Sequence, residues 1–400
     1  MHAAGKGVVE INPVGTVARG IRAPLIKKGD DIAAIAVSSV LSACEADGFG
    51  LRDGDVIGVT EAIVARAQGN YADCGHIAED VRAKYPKGEL VAVFPILSRN
   101  RFANVLKGIA SGCDRLWIML SYPADEVGNE LITWDMLDAS GYDPYTDVLT
   151  EASYREAFGY EGRHIFTNVD YVEYYKSFGD NIEIVFGNDA RKALRFSPHA
   201  LSCDIHTRAR TKRLLRDAGA ETVYGLDDIM SAPVRGSGYN ERYGVLGSNM
   251  ATADSVKLFP RDCERLVSRI VGSIKERTGK KVEALIYGDG AFKDPIGGIW
   301  ELADPVVSPA YTEGLAAKAN ELKLKFLLDN DLAGLGGEEL SKAVESAIRS
   351  KGEDGDRSSL GTTPRFYSDL LGSLCDLMSG SGDKGTPIIL IQGYFDNYAS

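Results

Sequence analysis

The six cysteines, Cys44, Cys74, Cys113, Cys203, Cys263 and Cys375, lie far apart, and no two have CxxC spacing. That argues against a disulfide scaffold or a zinc ribbon and fits a reducing compartment. Long apolar runs are also missing: residues 91–97 and 387–391 have the length of core strands, not of bilayer spans. Residues 1–10 lack the charged-then-apolar pattern of a secretory leader. Basic excess is absent, since the formal net charge is −12. No electrostatic case exists for a nucleic-acid or anionic-membrane partner. The expectation is a soluble, cytoplasmic protein that handles small molecules.

Familiar catalytic signatures are missing as well. The five histidines, His2, His76, His164, His199 and His206, show no HExxH spacing, which argues against a zinc protease. There is no GxSxG elbow, Walker A loop or dinucleotide fingerprint. No repeat of 20–50 residues marks a solenoid. The 400 residues allow two or three domains with ample core.

What is present centres on residues 282–294. Residues 282–287 form a short apolar run with one charge, the pattern of a buried strand. The run ends in Gly288-Asp289-Gly290. Two glycines permit positive φ and close approach of a ligand. An aspartate at the end of a buried strand suits a magnesium–phosphate seat. Asp-Gly is equally a hairpin signal, and both readings stand. Asp294 and Glu301 downstream, and Asn249 and Asp254 upstream, are hard oxygen donors that suit magnesium or manganese better than zinc.

Other stretches carry local signals. Residues 17–26 read as extended, and Asp30 is the expected N-cap of a helix whose face is Ile32, Ile35, Ala36 and Val40. A strand over 56–59 leads to Thr60, which caps a helix over 61–68 closed by Gly69. Backbone N–H groups at such a helix start form an anion site, with Arg66 one turn along. After a strand over 90–96, Ser98-Arg99-Asn100-Arg101-Phe102 opens a helix over 103–110. Two arginines at a helix start oppose its dipole. Arg99 and Arg101 are therefore candidates for a phosphate or carboxylate, with a surface salt bridge as the alternative.

Eight of the eighteen tyrosines fall between Arg115 and Asp204. This shift marks 115–205 as a mixed αβ insertion between a part at 1–114 and a part at 206–400. Its tyrosines are either ligand-recognising or core. A basic helix is expected over 206–218. Another, with Pro260 in its first turn, has Leu266, Ile270 and Ile274 as its stripe and Gly279 as its stop. Residues 316–327 and 337–348 read as helical. A helix beyond Pro364 has Leu370, Leu371, Leu374 and Leu377 as its face, and the last strand covers 387–392. Strands and helices without strict alternation point to α+β, with mixed β-sheets and flanking helices.

The run Gly20-Ile21-Arg22-Ala23-Pro24-Leu25-Ile26-Lys27-Lys28-Gly29-Asp30-Asp31-Ile32, then Leu51-Arg52-Asp53-Gly54-Asp55-Val56 and Val64-Ala65-Arg66-Ala67-Gln68-Gly69, resembles the N-terminal signature of coenzyme F420-0:L-glutamate ligases (F420 gamma-glutamyl ligases). Residues 247–301 resemble their central metal-binding part, and 363–369 with 387–393 their closing region. The resemblance implies a homodimeric enzyme that uses GTP and Mg2+ or Mn2+ to join glutamate to a phospholactate-bearing deazaflavin through an acyl phosphate. It implies Asp289, Asn249 and Glu301 as metal ligands. It places Ala23, Pro24, Leu25, Ile26, Glu61, Arg66, Thr362 and Thr363 at the nucleotide. Departures are Gly290 for a threonine, Ala62 for a lysine and Asn249 for an aspartate. They leave a second reading open, a non-catalytic nucleotide- or metal-binding or regulatory protein on the same scaffold.

Overall fold

Val56–Thr60 is buried along its whole length and lies at the centre of a five-stranded sheet. The structure is a computed structural model that describes residues 13–160, 163–164, 167–288, 291–293, 300–302, 308–351, 365–380 and 383–399, with backbone only for 291–293 and 300–302. Across the sheet the strands run Val17–Ile21, Ile388–Gln392, Val56–Thr60, Glu283–Tyr287 and Ala310–Tyr311. Val56–Thr60 and Glu283–Tyr287 pair in parallel, with Thr60 opposite Tyr287. Ile388–Gln392 runs antiparallel to its two neighbours. The exits of three strands, at Ile21, Thr60 and Tyr287, therefore lie along one edge, beside the entry at Pro387. Burial on both faces explains the unbroken apolar runs.

Two helices cover one face of this sheet. Ile32–Asp47 and Cys263–Thr278 pack on it through Ala36, Val40, Val267, Ile270 and Ile274. The N-cap of the first is Asp31, not Asp30: Asp31 accepts from Ala34 N at 3.2 Å, while Asp30 closes the preceding turn by accepting from Lys27 N at 2.6 Å. Pro260 lies before the second helix, whose N-cap is Asp262. On the opposite face Tyr367–Met378 buries Leu371 and Cys375, whereas Leu377 is 73% exposed and outside the face expected for it. Of the helix expected over 316–327 only its end forms, within Leu324–Asp329; a 3-10 turn, Glu313–Leu315, precedes the range.

A second sheet of six strands has the order Leu149–Thr150, Ile182–Phe186, Arg115–Leu120, Glu89–Val93, His199–Ser202, Thr222–Gly225. All but the first, short edge strand are parallel. The chain starts in the middle at Glu89–Val93, winds outward to Ile182–Phe186, then crosses back. One face packs on Ala103–Ser111 and the segments after it, the other on Ala190–Arg195 and Arg208–Asp217. Strands from both sides of 115–205 thus share one sheet, of which the tyrosine shift marks only a part. Tyrosine count follows the core on one face: Tyr122, Tyr154, Tyr171 and Tyr175 are buried, with Tyr154 stacked on Phe186 at 4.0 Å. With mixed and parallel sheets and flanking helices, the fold is α+β.

A hairpin, Asn249–Thr252 and Ser255–Lys257, pairs with Tyr71–Asp73 to make a small third sheet that bridges the two large ones. Among the described residues no helix is long and apolar enough to cross a membrane, and all six cysteines are free.

Gly58 sits mid-strand because Cys375 Sγ and the Tyr287 ring occupy the space a Cβ would need. Gly58→Ala should cost about 1–3 kcal/mol of stability through overpacking. Denaturant midpoints should show most of that loss recovered when Cys375→Ala is added. Strictly additive effects would contradict the contact.

Candidate functional site

The shared edge of the five-stranded sheet opens into a cleft of about 500 Å³, within the range of ligand pockets. Its walls come from four places in the chain: residues 23–27, helix Glu61–Gln68 through Ala62, Ile63 and Arg66, Tyr71 with Lys257, and Gly380, Gly385 and Pro387. Backbone hydrogen bonds tie the walls together. Ala23 N donates to Gly385 O at 3.2 Å and Thr60 N to Pro387 O at 3.0 Å. Arg66 Nε donates to Ile26 O at 2.6 Å, fixing the extended segment to the helix one turn from its start.

Helix Glu61–Gln68 forms as the sequence predicts. Thr60 is its N-cap, with a 3.5 Å contact from Ala62 N to its hydroxyl, and Gly69 ends it in the left-handed region. Its first residue, Glu61, is buried and meets Lys257 Nζ at 2.6 Å, both side chains being nearly enclosed. Lys257 has no signal in the sequence, because Ser255–Lys257 is too short for periodicity to register. It lines the same cleft as Ala62, the position where the resemblance expects a lysine.

Ala23, Pro24, Leu25, Ile26 and Arg66 therefore face one cleft, with Glu61 held at its wall through Lys257. Asn249 is on the hairpin and is not among the residues that line the cleft. It pairs across the strands with Lys257, so the two side chains share a face. Its Oδ1 accepts from Asn100 Nδ2 at 3.0 Å, and an amide oxygen has a second lone pair for another partner. Asp289, Thr362 and Thr363, and the side chain of Glu301, lie outside the described residues. Strand Glu283–Tyr287, two residues before Asp289, ends opposite Thr60 at this edge.

Chemically, the cleft combines guanidinium, ammonium and backbone groups with an apolar rim at Leu25. That donor set fits an anionic ligand with an apolar portion. Among the described residues no three His, Cys, Asp or Glu side chains gather as a metal seat. Asn249 fits a hard cation as a neutral oxygen ligand, with charge to come from elsewhere. Cys263 supplies no nucleophile: burial, helped by the Glu264, Glu61 and Asp262 carboxylates, pushes its thiol up to about 12, so it stays protonated at neutral pH.

Losing Lys257 would leave Glu61 enclosed without that counter-charge, which typically costs about 3–5 kcal/mol. Lys257→Met should lower the unfolding free energy on that scale, and Lys257→Met with Glu61→Leu should regain much of it. A Lys257→Met variant as stable as the parent would contradict the pair.

The family model described as F420-0:Gamma-glutamyl ligase matches residues 20–393. No curated protein matches the chain.

Proposed function

The chain belongs to the F420-0:Gamma-glutamyl ligase family, and from that premise we propose that it is a nucleotide- and divalent-metal-dependent ligase joining a glutamate-like amino acid to a carboxylate. The observation that supports this most is the cleft in which residues 23–27, Arg66 and Lys257 converge. In this reading GTP binds there. Residues 23–26 and the start of helix Glu61–Gln68 present backbone groups to the nucleotide, Arg66 balances phosphate charge, and Lys257, its charge matched by Glu61, offers a hydrogen-bond donor.

The chemistry has two transfers. An acceptor carboxylate oxygen attacks the γ-phosphorus of GTP, giving an acyl phosphate and GDP. The amino nitrogen then attacks the acyl carbon, the C–O bond to phosphate breaks, and the amine loses its extra proton. Mg2+ or Mn2+, held by Asp289 and Glu301 with Asn249 as a neutral ligand, would neutralise charge on the transferring phosphoryl group. Glu61 orients Lys257, and Ile26 O orients Arg66, so both cations are placed before the nucleotide arrives. The same family membership motivates a cytoplasmic homodimer acting on small molecules.

The neutral Asn249 and Ala62 motivate the second reading, a protein that binds nucleotide or metal without turnover. Purified protein given GTP, Mn2+, F420-0 and L-glutamate should release GDP in step with amide formation. Arg66→Ala should raise the KM for GTP about tenfold, equal to about 1.4 kcal/mol. GTP binding without GDP release under any acceptor would favour the second reading instead.

A further inference from the structure

In open parallel sheets ligands bind beyond the carboxyl ends of the strands, where the strand order reverses. Here that crevice lies between Glu89–Val93 and His199–Ser202. Its deep seat is filled by the chain's own carboxylates. Glu126 accepts from Ile205 N, from His206 N at 3.2 Å and from Thr207 Oγ1 at 3.4 Å, at the start of helix Arg208–Asp217. Asp204, fully buried, accepts from the Thr207 and Thr211 hydroxyls at 2.6 and 2.8 Å. Two carboxylates at this helix start repel a further anion. The reversal point therefore does not offer the phosphate seat that its topology would suggest.

The other rim of the crevice has the opposite charge. The loop after Glu89–Val93 carries Arg99, which is exposed and makes no ion pair among the described residues. Its backbone is held firmly by buried groups. Leu97 N donates to Asp125 at 2.8 Å, Ser98 N to the Tyr175 hydroxyl at 3.0 Å, and that hydroxyl to Ile96 O at 2.7 Å. Asn100 fastens the loop to the hairpin: its amide donates to Asn249, and its carbonyl accepts from Met250 N at 2.9 Å. Across the hairpin from Asn249 is Lys257, on the wall of the cleft. Arg99 thus sits on an anchored loop that Asn100 ties to the hairpin, in a chain whose net charge is −12, and its guanidinium lies near His164 and Tyr171. An exposed cation on an anchored loop is suited to recognition more than to stability.

We propose that Arg99 binds an anionic group, phosphate or carboxylate, of the acceptor substrate, so that the parallel sheet selects the molecule whose carboxylate the cleft activates. This rests on the ligase reading above and adds a specificity-determining residue to it. Because Arg99 is exposed, its substitution leaves the core intact. Calorimetry with F420-0 and, separately, with GTP tests the idea on the parent, Arg99→Ala and Arg99→Lys. The expected result is about tenfold weaker F420-0 binding by Arg99→Ala, a smaller loss in Arg99→Lys, and unchanged GTP binding. Equal F420-0 affinity in parent and Arg99→Ala overturns the proposal and leaves the ligase reading standing. Equal loss of GTP affinity overturns it as a matter of acceptor selection. A parent that binds GTP but no F420-0 overturns both this proposal and the acceptor named in the ligase reading.

Discussion

The Lys257–Glu61 pair is the contact on which the geometry of the cleft depends. It joins the first residue of helix Glu61–Gln68, which stands at the end of a central strand, to the last residue of the hairpin. The helix belongs to the five-stranded sheet; the hairpin leans on the loop of the parallel sheet through Asn100. Enclosing two charges is costly, and their attraction offsets that cost only when both stay in place. Such a pair contributes little net stability, yet it discriminates strongly against any other docking of hairpin on helix. The cleft is the space that this docking leaves.

Charge is distributed accordingly. The chain is acidic as a whole, and its carboxylates fill the reversal point of the parallel sheet, through Glu126 and Asp204. Cations are placed where two surfaces meet: Arg66 and Lys257 in the cleft, Arg99 on the adjoining loop. Field lines from a few cations in a low-dielectric crevice act on a small anion more strongly than the net charge would suggest. The parallel sheet is then a support for a loop, with buried Tyr175 and Asp125 fixing residues 96–98.

Much of the local structure was legible because it follows short-range rules. Strand Val56–Thr60, the Thr60 cap, helix Glu61–Gln68 and the Gly69 stop are written within fourteen residues by burial pattern, capping chemistry and a left-handed glycine. The family resemblance groups residues 23–26, 61 and 66; of these, 23–26 and Arg66 line the cleft, and Glu61 meets it through Lys257. The illegible parts were long-range. Lys257 lies 196 residues from Glu61, and nothing in a three-residue strand announces its partner. The extent of the parallel sheet was not legible: a strand over 90–96 was read locally, but tyrosine enrichment tracks one buried face and does not join it or the strand at 222–225 to the strands within 115–205. Leu377 fails as a core residue because Cys375 is on the buried side of its helix. Asp31 displaced Asp30 as a cap because the preceding turn at Lys27 claimed Asp30 first.

The central claim is that one cleft, walled by residues 23–27, helix Glu61–Gln68 and Lys257, receives the nucleotide. Amide hydrogen exchange of the full chain with and without GTP and Mn2+ tests it most directly, because bound ligand slows exchange where it contacts or stiffens backbone. Protection should be concentrated in peptides covering 23–29, 60–68 and 255–258. Protection confined to 94–101 and 203–208, with those three stretches unchanged, would contradict the account.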